Sequence, residues 1–407
     1  MIKLLVLALR GGSIGARFLL SFLFIKHISL EFQGEYALLL TTVTLCMLIV
    51  GFDFYVFANR FLIKNQSKAG FTLTNQLMFH LLTYAVLLTV FFILRLSGIT
   101  HDYLMVTVLF LLVFEHLGME FFRAFIALEK VLIANIILFI RTGTWPLILI
   151  YQLLFTELEV TLDTVINYWL IAGLLSVLLG FILIRGTVKR SKFSFDKEWV
   201  LKGFKVGALF LVATMANKIV EFSDRYIIDA FLGAKSLGIY SFFFQLANVV
   251  NVFIFTVFIS FVYPKIIYLI DNKRKKEAYK VMRKLRINCI LTISIYTLAL
   301  FFILPYLLDF IDKSELYDHQ IILYLFLLGN MFLNLSFTSH YALMAIEKDK
   351  ALMWIGIGIA TLTILGNLIA INLFGITGGV SVFVLSSILF FITKSYAEKT
   401  YFRRYEW

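Results

Sequence analysis

Several ionisable side chains of this sequence sit inside long apolar stretches, where each costs several kcal/mol unless it meets water or a partner. Arg10 and Arg17 lie seven residues apart in the first stretch, nearly two helical turns, and so project from one face. Gly11, Gly12 and Gly15 lie between them and allow close packing or bending. Two arginines on one face bring positive charge into the apolar layer. Arg10 is nearer the end of the stretch, where a snorkelling arginine is an equal alternative, whereas Arg17 falls near its middle. Lys218, Glu221, Arg225 and Asp229 follow one another at spacings of three, four and four, with Asp224 beside them. That stripe reads as a basic site with acids for a cation, or as a self-neutralised contact between helices.

Arg141 lies just before Trp145-Pro146, where a proline frees a carbonyl and permits a kink, and is a further candidate to line a basic chamber. Glu115, His116, Glu120 and Arg123 share another stretch, with His116 and Glu120 four apart and Glu120 and Arg123 three apart. They suit a proton or cation site, or equally a neutral internal network. Asp53 and Arg60 read as a local ion pair, and His80, one turn from Gln76, as a packed helix contact. The substrate candidates are therefore Arg10, Arg17, Arg141, Lys218 and Arg225, and the ion-coupling candidates Glu120, Glu221 and Asp224. Nothing resembles catalysis: there is no Gly-x-Ser-x-Gly elbow, no Walker-type loop and no His-Glu-x-x-His. Cys46 and Cys289 have neither a disulfide framework nor metal-ligand spacing, and no cofactor is implied.

The elements that carry these residues are membrane helices. Of 407 residues, 61% are hydrophobic and 15% charged, against about 25% charged in soluble domains. Apolar stretches of the roughly 20 residues that cross a bilayer follow one another almost to the end. Unpaired backbone groups are costly in lipid, which favours helices, and runs such as Tyr36–Val50 lack the alternation of a β-barrel. There are only three prolines. Helices are predicted near 4–26, 36–58, 75–97, 103–127, 131–154, 165–185, 203–231, 237–262, 287–308, 320–345, 351–373 and 376–394. Leu232-Gly233-Ala234-Lys235 marks the break in the longest apolar run. The first segment is too long for a signal-peptide core.

The connections alternate in charge. Those at 59–74, 186–202 and 263–286 and the tail carry most of the Lys and Arg, among them Lys189, Arg190, Lys192, Lys273, Arg274, Arg403 and Arg404. The others hold few basic residues and several acids, such as Glu157, Asp309 and Glu315. Basic loops stay in the cytoplasm, so both termini are placed there and the helix count is even. The formal charge of +12 is assigned to these loops rather than to nucleic-acid binding. No connection is long enough for a soluble domain. The expected fold is an all-α membrane protein of about twelve transmembrane helices in two six-helix bundles, residues 1–202 and 203–407, around a central cavity. Gly34-Glu35-Tyr36 and Gly238-Ile239-Tyr240 open the second and eighth helices about 204 residues apart, suggesting parallel repeats. That offset lays Arg17 on Glu221, within a turn of Lys218 and Arg225, so two such helices facing a cavity would form a basic chamber.

Taken as a set, the opening arginines, Gly34-Glu35-Tyr36, Asp224-Arg225-Tyr226-Ile227-Ile228 followed by Gly233 and Gly238-Ile239-Tyr240, and Phe374-Gly375-Ile376-Thr377-Gly378-Gly379 carry a resemblance over nearly the whole chain. The sequence resembles the Wzx-type O-antigen and polysaccharide flippases of the multidrug/oligosaccharidyl-lipid/polysaccharide exporter superfamily. The resemblance implies movement of an undecaprenyl-pyrophosphate-linked oligosaccharide from the cytoplasmic to the periplasmic leaflet of a bacterial inner membrane, for O-antigen and lipopolysaccharide assembly. It implies a coupling cation, proton or sodium, and a glycan polymerase and chain-length regulator as partners. Two other classes remain open. A multidrug or cation exporter shares the fold but should prefer an acidic chamber. A multi-spanning glycan polymerase or ligase should carry a long periplasmic loop.

Overall fold

A computed structural model describes residues 2–96, 103–188 and 194–404. Lys189, Arg190 and Lys192 of the basic connection lie outside the described residues, as do the side chains of Arg403 and Arg404. Every regular element among the described residues is helical: α1 (Ile2–His27), α2 (Leu30–Gly51), α3 (Phe54–Lys64), α4 (Ala69–Leu96), α5 (Tyr103–Ala127), α6 (Val131–Phe139), α7 (Trp145–Phe155), α8 (Leu162–Val188), α9 (Lys197–Ile254), α10 (Ser260–Asp271), α11 (Lys275–Ile311), α12 (Ser314–Tyr317), α13 (Ile321–Ala345) and α14 (Asp349–Arg404). The protein is an all-α, multi-span membrane protein.

Among the described residues nine stretches are long and apolar enough to cross a bilayer. Two of them, Lys197–Ile270 and Asp349–Phe402, run to 74 and 54 residues, far beyond the about 20 that one crossing needs. Each is interrupted at a glycine with positive φ, Gly233 (φ 79°) in α9 and Gly375 (φ 61°) in α14. An L-residue with a side chain is strained there, so glycine makes the reversal in one residue. The 25-residue α5 is not among the nine and carries Glu115, Glu120 and Arg123.

Three sequence expectations change. The helix expected near 36–58 begins at Leu30 and breaks after Gly51, where Phe52 (φ 53°) and Asp53 (φ 47°) turn the chain into α3. The ring of Phe52 stacks on Phe204 at 4.7 Å, a contact distant in sequence. The stretch near Pro146 is resolved by a five-residue π turn, Ile140–Thr144, with the proline in the first turn of α7. A π turn is a common way to absorb such a defect. The basic connection 263–286 is mostly helix, since α10 continues to Asp271 and α11 starts at Lys275. Lys, Arg and Glu are good helix formers, and low hydropathy marks the end of the bilayer rather than of the helix.

The chain forms two compact units: Met1–Leu23 with Leu39–Val212, and Phe24–Leu38 with Ala213–Trp407. In the first, α5 packs on α6 and α8. Gly180 lies under the Phe121 ring and Gly173 under Phe114, so the helices approach closely. Phe54 stacks on Phe79 at 4.2 Å and meets Trp199 edge-on in one packed cluster.

In the second unit α13 packs on α11 and α14. An amide ladder ties it to α9: Asn251 donates to Asn330 Oδ1 at 2.8 Å and Asn334 donates to Asn251 Oδ1 at 2.6 Å. Gly34 of α2 crosses Gly238 of α9 with backbone against backbone. A Cβ on Gly34 would overlap the carbonyl of Ala234, and one on Gly238 would overlap the carbonyl of Leu30. The contact is reciprocal, and the repeat motif seen in the sequence is its core. Tyr36 and Tyr240 are buried beside it. At the Gly233 turn, exposed Lys235 pairs with Glu315 at 2.8 Å. That hydrogen bond holds the Glu315 carboxyl below its usual range.

Outward faces are apolar, as lipid requires. Leu82, Val86 and Ile93 on α4, Ile295, Leu298 and Phe302 on α11, and Leu365, Ile369 and Leu373 on α14 recur at helical spacing and are exposed.

Candidate functional site

In the first unit the buried charges converge on α5. Glu115 accepts from Arg141 (Nη1 to Oε2, 2.7 Å) and from Trp169 (Nε1 to Oε1, 2.7 Å). Arg141 also donates to the Glu115 carbonyl at 3.2 Å. The π turn carries Arg141, and Gly118 leaves it room: a Cβ there would come within 2.7 Å of Arg141 Cδ. Both members of the pair are almost fully buried, at 3% exposure. Arg141 is thus a partnered cation. Glu115, noted in sequence but given no partner, is its counter-charge.

Five residues along α5, Glu120 accepts from Arg123 Nη1 at 2.6 Å and from Gln76 Nε2 of α4. His80 Nε2 and His116 Nε2 each lie 3.6 Å from a Glu120 oxygen. The two imidazoles meet edge to face with centroids 4.6 Å apart, and Tyr84 Oη contacts His116 Nδ1 at 2.6 Å. His116, Glu120 and Arg123 are joined as their spacing predicts. His80 is more than a packed helix contact: it belongs to this cluster. Its partners are on another helix, so nothing in local spacing could reveal it. The Arg123 guanidinium also lies 3.6 Å from the centroid of the Tyr55 ring. A cavity of about 480 Å³ between α4, α5 and α8 reaches Gln76, His80 and Glu120 through otherwise mostly apolar walls.

Arg10 and Arg17 are placed differently. Arg10 Nε donates to Asn135 Oδ1 at 2.6 Å, anchoring α1 to α6. Arg17 is half-buried, midway along α1. Asp53 is buried at the α2–α3 break, and the Arg60 guanidinium lies 5.2 Å from the Phe210 centroid.

The second unit holds the stripe on α9. Lys218 donates to Glu221 Oε2 at 2.5 Å, both half-exposed. Arg225 is buried with its guanidinium 4.6 Å from the Phe222 centroid and 4.5 Å from that of Phe244. Asp224 is buried and accepts from the Tyr240 hydroxyl. That bond reaches across the Gly233 turn, giving the tyrosine of the repeat motif a polar role that spacing alone does not reveal.

These arrangements can neutralise buried acids, hold a cation and present arginines to an anion. Residues 3–270 match the family described as polysaccharide biosynthesis protein. The chain belongs to this family. An inward-facing multidrug resistance MATE family transporter of the MOP superfamily superposes with a TM-score of 0.76 at 11% identity, covering 97% of this chain and 95% of the other. The lipid II flippase MurJ in an inward closed conformation gives 0.70 at 14% identity, with 97% and 87% covered. A Vibrio cholerae MATE transporter, VcmN, gives 0.58 at 12% identity, with 100% and 98% covered. At these identities the likeness establishes the fold. Among curated proteins, none matches the sequence.

Proposed function

We propose that this polysaccharide biosynthesis family member is a flippase for an undecaprenyl-pyrophosphate-linked oligosaccharide, moving it from the cytoplasmic to the periplasmic leaflet of a bacterial inner membrane. The family match over residues 3–270 carries this reading, and the fold it shares with a lipid II flippase supports it. Twelve crossings, counted by dividing the two long stretches at Gly233 and Gly375 and adding α5 to the nine, form two bundles of residues 1–202 and 203–407 around a cavity, with both termini cytoplasmic. The glycan and pyrophosphate occupy the cavity and the lipid tail stays in the bilayer. Arg10, Arg17, Arg141, Lys218 and Arg225 supply its positive charge, with Arg17 the main phosphate ligand. Glu120, Glu221 or Asp224 takes up a coupling proton or sodium ion. A glycan polymerase and chain-length regulator receive the product for O-antigen assembly.

Arg17 decides the matter. Its depth in α1 calls for an aqueous chamber or an internal partner. Arg17→Ala is expected to abolish surface-glycan display in a flippase-deleted strain while the protein still inserts at normal abundance. Arg17→Lys restores display in part, since lysine keeps the charge but loses the planar fork. Normal display from well-expressed Arg17→Ala contradicts the proposal. A reporter fused after Trp407 should signal from the cytoplasm, and a periplasmic signal sinks the topology.

The fold likeness to multidrug transporters favours a second reading, export of a drug or cation. Increased drug tolerance on expression, with no change in glycan display, selects it.

A further inference from the structure

His80, His116 and Glu120 have a geometry that proton uptake alone does not require. One ligand-capable atom from each lies within 4.8 Å of the others. The two imidazole-to-carboxylate distances, each 3.6 Å, are longer than hydrogen bonds. The His116 distance, to Oε1, lies near the roughly 3.3 Å that separates neighbouring ligands in a tetrahedron with metal bonds of about 2.0–2.1 Å, and the His80 distance is to the other carboxylate oxygen, Oε2. All three residues are at least nine-tenths buried. Both ring nitrogens of His80 and Nε2 of His116 have no hydrogen-bond partner. Unpartnered buried nitrogens carry a desolvation penalty that a bound cation removes.

The surroundings suit ligation. Tyr84 Oη lies 2.6 Å from His116 Nδ1, so a proton on Nδ1 leaves the Nε2 lone pair aimed at Glu120, the usual way an outer partner fixes a ligating imidazole. Gln76 orients the carboxylate through its second oxygen. His116 and Glu120 are one turn apart on α5, and His80 comes from α4, so the site is built on helices rather than loops. Two nitrogens and one oxygen form a borderline donor set that favours zinc, cobalt or nickel over sodium, magnesium or calcium, which prefer all-oxygen sites.

We infer that His80, His116 and Glu120 bind a divalent transition-metal ion of the zinc class, with a fourth position left open. Arg123 is the built-in competitor. Its Nη1 donates to Glu120 Oε1 at 2.6 Å, so metal entry displaces that hydrogen bond while the guanidinium keeps its place on Tyr55. The cavity beside Gln76 and His80 is the approach.

The test uses the full chain, purified in detergent, stripped with chelator and titrated with zinc chloride and cobalt chloride. One zinc per chain is expected by elemental analysis, and cobalt should give the visible absorption of a four-coordinate site. His80→Ala, His116→Ala and Glu120→Ala should each weaken binding by more than about 100-fold, and Tyr84→Phe by about tenfold. Arg123→Gln should tighten it. Should the single variants unfold, the cobalt spectrum of the unaltered chain still decides. No stoichiometric uptake by that chain, a six-coordinate cobalt spectrum, or binding indifferent to all three ligands overturns the inference. Glycan display is not a readout here, so failure leaves the flippase proposal standing, and the converse also holds.

Discussion

Gly34→Ala and Gly238→Ala are each expected to lower the melting temperature and to abolish glycan display, although alanine is the better helix former. In an ordinary helix interior the change from glycine to alanine gains up to about 1 kcal/mol. At this crossing the added methyl would overlap a backbone carbonyl, of Ala234 in one case and Leu30 in the other. No side chain can rotate away, so α2 and α9 must move apart. Overpacking of this kind costs about 1–3 kcal/mol and more against backbone. The double variant should lose less than the two singles combined, because helices already separated for one methyl accept the second. Gly358→Ala in α14 is the control: nothing lies within 4 Å of a Cβ there, and its melting temperature should hold or rise. Unchanged melting and display in both crossing variants would show that the two backbones do not touch.

The second large effect is expected at Glu115. Glu115→Gln removes the charge that compensates Arg141 and keeps nearly the same shape. Breaking a buried pair from one side typically costs about 3–5 kcal/mol, because the remaining ion stays desolvated and alone. Membrane abundance and thermal stability in detergent should therefore fall sharply. Glu115→Leu combined with Arg141→Met should recover most of the loss, since replacing a whole buried pair with apolar groups is often neutral. A single variant as stable as the unaltered chain would mean that Arg141 has another anionic partner or reaches water. Because Trp169 also donates to Glu115, Trp169→Phe should cost less than Glu115→Gln.

Fold and site are legible in the sequence where the determining contact is local. The breaks at Gly233 and Gly375 are visible because a reversal in one residue needs a glycine. The Lys218–Glu221 and Glu120–Arg123 pairs follow from three-residue spacing on one helix. The break at Phe52 and Asp53 is not legible: neither residue favours positive φ strongly enough, and the contact of Phe52 with Phe204 comes from 152 residues away. The partner of Arg141 is 26 residues off, on another helix, and that of Asp224 lies beyond the Gly233 turn. Charged residues in apolar stretches thus announce that partners exist. Which partner each one finds depends on how separate helices pack.

The one-residue reversals at Gly233 and Gly375 leave the chain no slack. Ordinary loops absorb insertions at small entropic cost, since closure entropy grows slowly with length. A residue inserted into the helix on either side of these glycines rotates the rest of that helix by about 100°. Ile369 and Leu373, now exposed, would then turn toward the interior and buried Asn367 toward lipid. Length variation and epitope tags should therefore be tolerated within the connection 156–161 and rejected at the two glycines.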